Sequence, residues 1–192
     1  MGDATEDRAK ASALPEGDVI RVLLEQHARI RDLFAQVKNE TGEEKQKTFD
    51  ALRALLAVHE TAEELVLRPV TEKVAGEGVA SARNQEEKEA NEVLAELEKL
   101  SVDDPGFAAK FEAFEKSVDD HAEAEEHEEF SQVLAQCDED QRKTMGRKIK
   151  AAEALAPTHP HPSVAGDRTA QMLTGPFASM IDRVRDVVSS AT

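Results

Sequence analysis

Residues 49–67 read FDALRALLAVHETAEELVL, a run in which Phe49, Leu52, Leu55, Leu56, His59, Glu63 and Val66 recur at three- and four-residue steps. That period puts all of them on one face of an α-helix. A histidine and a glutamate therefore stand in a stripe otherwise made of apolar side chains. The pattern returns sixty-two residues later, where HETAEEL at 59–65 is echoed by HAEAEEH at 121–127. There Phe107, Phe111, Phe114, Val118, His121 and Glu125 share one side of a helix predicted to continue to about Gln136.

The same period extends in both directions. Asp18 is placed as an N-cap for a helix ending near Asn39, with Leu23, Leu24, His27, Ile30 and Phe34 as its stripe. A turn at Thr41-Gly42 opens the helix that holds His59, and Pro69 is expected to bend or end it. A third, more polar segment runs from about Val79 to Leu100, with Ala90, Val93, Leu94 and Leu97 in line and Glu86 and Glu87 extending that line backwards. Asp103-Asp104-Pro105-Gly106 breaks the chain before the fourth helix. Four amphipathic segments with short connections predict an all-α, up-down-up-down four-helix bundle over residues 18–137. Residues 1–17, closed by Pro15 and Gly17, read as a disordered lead. Residues 138–192 form a C-terminal helical extension in this reading: a helix from Asp138 to Leu155, an extended PTHPHP at 157–162, and a short amphipathic helix carrying Phe177, Met180, Ile181, Val184 and Val188.

Composition narrows the function. The 192 residues carry 24 Lys+Arg against 40 Asp+Glu, a net charge of −16. Nucleic acid and anionic membrane surfaces are disfavoured as partners, because both attract clustered cations. Aromatic residues make up only 4% of the chain, with no Trp or Tyr, so the core must be built from Leu, Val, Ala and Phe. The lone Cys137 rules out an intramolecular disulfide or a cysteine-rich zinc site, and it reads as an ordinary thiol. The polar N-terminal stretch lacks the apolar run of a signal peptide, and no run of apolar residues is long enough to span a bilayer. A cytoplasmic location is expected.

An HxxxE pair puts an imidazole and a carboxylate one turn apart on a helix, aimed at the same point. Two such helices facing each other deliver two of each. A carboxylate has two oxygens and can bridge two ions, and imidazole suits several transition metals, zinc included. Aligning Leu33-Phe34 with Val93-Leu94, at an offset of sixty, sets His27 opposite Glu87. The chain thus reads as two helical hairpins, each with one polar group on its first helix and a His–Glu pair on its second.

In these residues the chain resembles the hemerythrin-like, His-His-Glu cation-binding family over about residues 18–136. The family pattern carries onto His27, His59 with Glu63, Glu87, and His121 with Glu125 as metal ligands. The third-helix position departs from it, because Glu87, or alternatively Glu86, stands where the family has histidine. The resemblance implies two iron ions, oxo- or hydroxo-bridged, and no catalytic residue separate from the metal ligands. It also implies a small-molecule partner, whether oxygen, hydrogen peroxide or nitric oxide. A carboxylate in place of neutral imidazole favours the ferric state, which shifts the expectation from oxygen carriage toward peroxide or nitric oxide detoxification. A non-enzymatic iron or oxygen sensing or storage module is the alternative. Glu60, beside His59, is a further possible oxygen donor; otherwise Glu60, Glu64 and Glu126 read as surface charge and His127 as exposed. His159 and His161 read as part of a linker, or as donors from a folded-back tail.

Overall fold

A computed structural model describes residues 2–153 and position 186. The expected features at 157–162, including His159 and His161, and the apolar set from Phe177 to Val188 lie outside the described residues. Those described are helical, with no strand among them. The order is α1 (Ala4–Ser12), α2 (Val19–Asn39), α3 (Gly42–Ala62), α4 (Arg68–Val74), α5 (Glu77–Leu97), α6 (Pro105–Ala124), α7 (Ser131–Gln136) and α8 (Glu139–Glu153). Two π-helical turns, Glu63–Leu67 and Glu125–Phe130, join α3 to α4 and α6 to α7, so each pair is one long rod. With α2 and α5 these rods make the antiparallel four-helix bundle.

Local chemistry fixes the ends. Asp18 accepts from the Ile20 amide at 3.0 Å, the N-cap expected from the sequence, and its other oxygen takes Arg142 Nε at 2.7 Å. One buried aspartate thereby starts α2 and ties α8 to it. Asp104 caps α6 in the same way through the Gly106 amide at 2.7 Å. The turn between α4 and α5 needs a left-handed residue, and Gly76 supplies it with φ +99°. Pro69 does not end its helix. It sits in the first turn of α4, after the π turn has widened the backbone, and the rod runs on to Val74.

Residues 4–12 correct the expectation of a disordered lead, because they form α1, packed along α2. Its apolar periodicity is too weak to be seen in the sequence. What holds it is the Asp3 cap on Thr5, buried Ala11, and ion pairs from Asp7 to Arg31 and from Lys10 to Glu126.

The apolar interior falls into two blocks. One joins Val19, Leu23, Val58, Leu67, Phe130, Val133 and Ile149; the other joins Ile30, Phe34, Phe49, Leu52, Leu97, Phe107, Phe111 and Phe114. In the second block the Phe107 and Phe111 rings stack at 5.3 Å, and Phe49 meets Phe107 edge-on at 5.2 Å. Each fully buried large side chain contributes about 1.5–3 kcal/mol. Between the blocks lies the layer holding His27, His59, Glu63, His121 and Glu125. No helix of the described residues is long and apolar enough to cross a membrane.

The seat of α8 depends on a glycine. A Cβ at Gly146 would lie 2.0 Å from the Gly17 carbonyl oxygen, which is backbone and cannot swing aside. Gly146→Ala should therefore push α8 off the start of α2 and cost about 1–3 kcal/mol. Urea denaturation should show the loss with little change in helical circular dichroism before the transition.

Candidate metal centre

Each rod delivers its pair from the point where the α-helix gives way to the π turn. His59 and His121 lie in the last turn of α3 and α6, and Glu63 and Glu125 are the first residues of the two π turns. Such turns recur at functional sites because one extra residue per turn re-aims the side chains that follow. Here His59 Nε2 is 3.4 Å from Glu63 Oε2, and His121 Nε2 is 3.5 Å from Glu125 Oε1. From α2, His27 Nε2 comes within 3.5 Å of Glu125 Oε2, and its ring lies 5.0 Å from that of His59. From α5, Glu87 Oε1 is 3.8 Å from His121 Nε2.

These side chains form two donor clusters, His27–His59–Glu63–Glu125 and Glu63–Glu87–His121–Glu125. Within each, one donor atom from every residue lies within 4.8 Å of the others, and both clusters share Glu63 and Glu125. Buried polar atoms are ordinarily hydrogen-bonded. Here His27 Nε2, His121 Nε2, Glu125 Oε2 and both Glu63 oxygens are buried without a hydrogen-bond partner. Such converging, unpaired donors fit a bound cation.

The outer ring nitrogens are all engaged. His59 Nδ1 donates to Gln26 Oε1 at 2.8 Å, His27 Nδ1 to Glu126 Oε1 at 3.2 Å, and His121 Nδ1 to Glu86 Oε2 at 2.9 Å. Each acceptor is the sequence neighbour of a cluster residue on a different helix. With Nδ1 so used, every Nε2 faces the interior, the arrangement that holds histidine ligands in place. Glu86 is thus an anchor for His121, and Glu87 is the glutamate inside the cluster. Glu126 corrects the surface-charge reading: it is nearly buried, and it also accepts from Lys10 at 2.9 Å. Glu60 is half-buried and accepts from Asn91 at 2.9 Å, outside both clusters. His127 is exposed, as expected.

Arg68 and Glu129, like Gln26, escaped the sequence reading altogether. Arg68 is buried, with Nη1 on Glu129 Oε1 at 2.6 Å and Nη2 on both Glu125 Oε1, at 3.1 Å, and Glu87. Glu129 is fully buried and also takes the Thr71 hydroxyl at 3.4 Å. At 3.6 residues per turn Arg68 points away from Glu63. The π turn closes a five-residue step, Arg68 N to Glu63 O, and brings it round.

Burial and charge set the protonation of the site. Burial pushes His59 down to about 3, reinforced by the neighbouring imidazoles of His27 and His121. Burial also opposes a charge on His121, but Glu125, Glu86 and Glu87 outweigh it and raise the imidazole to about 9. Burial, with the Glu125 charge beside it, drives Glu63 well up. For Glu125 burial acts in the same sense, yet His121, His27 and Arg68 hold its carboxyl well down.

The family model described as the hemerythrin HHE cation binding domain matches residues 18–133. The chain belongs to that family, and it is a metal-binding protein of hemerythrin-like, all-α architecture. An uncharacterized hemerythrin-like protein of Schizosaccharomyces pombe is 26% identical over 136 residues, covering 69% of this chain and 67% of that one. A DNA nickase of Nostoc is 27% identical over 155 residues, or 80% of this chain, but this is only 43% of the nickase's length. Among solved structures, a hemerythrin HHE cation binding domain-containing protein from Mycobacterium kansasii superposes with a TM-score of 0.67. It is 18% identical, covers 87% of this chain and 98% of its own, and so shows the fold.

The ring chemistry is open to direct observation. In metal-free protein at pH 7, long-range proton–nitrogen correlation spectra should show His59 neutral with its proton on Nδ1, and it should stay so down to about pH 4. His121 should carry both protons at pH 7 and lose one near pH 9.

Proposed function

We propose that the chain holds two iron ions, one in each donor cluster with Glu63 and Glu125 shared between them, and that it consumes a small reactive molecule, hydrogen peroxide or nitric oxide. The observation that carries this is the pair of clusters sharing two carboxylates, with donor atoms left unpartnered. His27, His59, Glu63, Glu87, His121 and Glu125 would be the ligands. Iron would supply one- and two-electron chemistry on the small ligand.

The chain's own groups suit such a role. Gln26, Glu126 and Glu86 fix the three imidazoles, so no ring must reorient when a ligand arrives. A cavity of about 470 Å³ reaches the layer from outside, walled by Ile30, Phe34, Leu56, Ala90, Val118 and Ala122. Charged Arg31, Asp32, Lys38, Glu115 and Asp119 also line the cavity, so it offers a small polar molecule such as peroxide both apolar wall and hydrogen-bonding groups. Glu87 adds a negative donor where the family has imidazole, which supports the oxidised metal and argues against reversible oxygen carriage. In peroxide dismutation one peroxide is oxidised to oxygen and another reduced to water, so no outside electron donor is needed. The charge of −16 makes DNA an unfavourable partner, so the nickase's activity is not carried over to this chain.

Anaerobic loading with excess ferrous iron should give about two ions per chain by elemental analysis, in line with the two clusters. The loaded protein should then consume peroxide steadily. Glu125→Gln should lose most of both, since Glu125 belongs to each cluster. Reversible oxygen binding with no peroxide consumed would remove the reading, and a gain in stability on loading without turnover would mark a storage or sensing module. Gln26→Leu should leave the fold intact while weakening metal retention about 10–100-fold in a chelator competition.

A further inference from the structure

We infer that Arg68 makes the two ion positions unequal: the folded chain offers the His27–His59–Glu63–Glu125 position free, whereas the Glu63–Glu87–His121–Glu125 position is held by the Arg68 guanidinium, which a second cation must displace. This rests on reading the two clusters as metal positions. The asymmetry is visible atom by atom. In the first position His27 Nε2, both Glu63 oxygens and Glu125 Oε2 have no partner. In the second, the oxygens that converge on His121 Nε2 are Glu125 Oε1, at 3.5 Å, and Glu87 Oε1, at 3.8 Å. Those same two oxygens accept from Arg68 Nη2. Arg68 stands against the Glu87 and Glu125 oxygens of the second position, where His121 Nε2 and the shared Glu63 stay unpartnered, and against none of the donor atoms left unpartnered in the first.

Arg68 is held there from behind. Nη1 binds Glu129 Oε1 at 2.6 Å, Glu129 is fully buried, and Thr71 secures its second oxygen at 3.4 Å. A second metal ion therefore need not expel the guanidinium from the protein. It must break the two Nη2 contacts, while the Glu129 pair keeps the displaced charge compensated. A hydrogen bond between charged groups is worth a factor of about ten to a hundred in an equilibrium constant. The second ion should accordingly bind at least about 100-fold more weakly than the first, and the centre should load in steps.

Manganese(II) is the probe, because it needs no oxidant and its paramagnetic resonance distinguishes a lone ion from a coupled pair. Titration calorimetry of the full chain should resolve two steps separated by about 100-fold or more. One equivalent should give the signal of an isolated ion. In Arg68→Met the second step should strengthen at least about tenfold, by more than any change in the first, whose Glu125 also loses a contact, and coupled pairs should appear at lower manganese. If circular dichroism shows that Arg68→Met is unfolded, Arg68→Met/Glu129→Gln, which removes both buried charges, is titrated instead. Equal steps in the wild type, or a second step unchanged or weakened in the variant, would overturn the inference. Should neither protein bind manganese, or His59→Ala leave the first step intact, the assignment of the clusters as metal positions would fail, a result distinct from two equal steps.

Discussion

Everything in this molecule accommodates one constraint, the burial of a ring of carboxylates at mid-height in an apolar bundle. Glu63, Glu125 and Glu129 are fully shielded from water. Moving a bare carboxylate into such surroundings costs several kcal/mol even after relaxation. Within the protein the charge is met by Arg68 and by the imidazoles of His27 and His121, and where it is less well met burial drives the carboxyl up, as at Glu63. The two apolar blocks above and below provide the stability against which this layer is set. A cation held by these carboxylates would relieve the same cost, so that the layer's charge and the proposed metal binding have one origin.

The π turns convert a helical repeat into a site. On a regular α-helix HxxxE aims two donors at one point but turns the fifth residue after the glutamate away from it. Opening the first rod at the glutamate itself brings Arg68 round, while Glu129 stands four residues after Glu125, a step that keeps one helix face. The backbone irregularity at Glu63 is thus what closes the second tier of charge around the first. It also explains how Pro69 sits inside a rod that continues to Val74.

The anchoring of the histidines ties the helices together in the same layer. Gln26 of α2 holds His59 of α3, Glu86 of α5 holds His121 of α6, and Glu126 of the second rod holds His27 of α2. Because each anchor adjoins a cluster residue in sequence, a shift of one helix disturbs a donor and an anchor together. Helix α1 joins this frame from outside, through Lys10 on Glu126 and Asp7 on Arg31. The entry segment is thereby part of the support of the site.

How much of this was legible in the residues depends on the range of the interaction. Apolar period, caps and breakers act within a few residues, so the four bundle helices, the Asp18 and Asp104 ends and the inward stripe bearing His27, His59, Glu63, His121 and Glu125 could be read directly from the chain. The echo at sixty-two residues even placed the two HxxxE pairs opposite each other. Helix α1 was not legible, because its nine residues are held by ion pairs to α2 and the second rod rather than by an apolar stripe. The division of labour between Glu86 and Glu87 was equally hidden, since both lie on α5 and only its rotation against α6 decides which meets Nδ1 and which joins the cluster. The sequence by itself determined the bundle and the identity of its polar layer, because periodicity is a local property of the chain. Only the tertiary structure decided the roles of Arg68, Glu129 and Glu126, because a buried charge is defined by what surrounds it in space, and their partners come from other helices or from a turn whose period departs from 3.6.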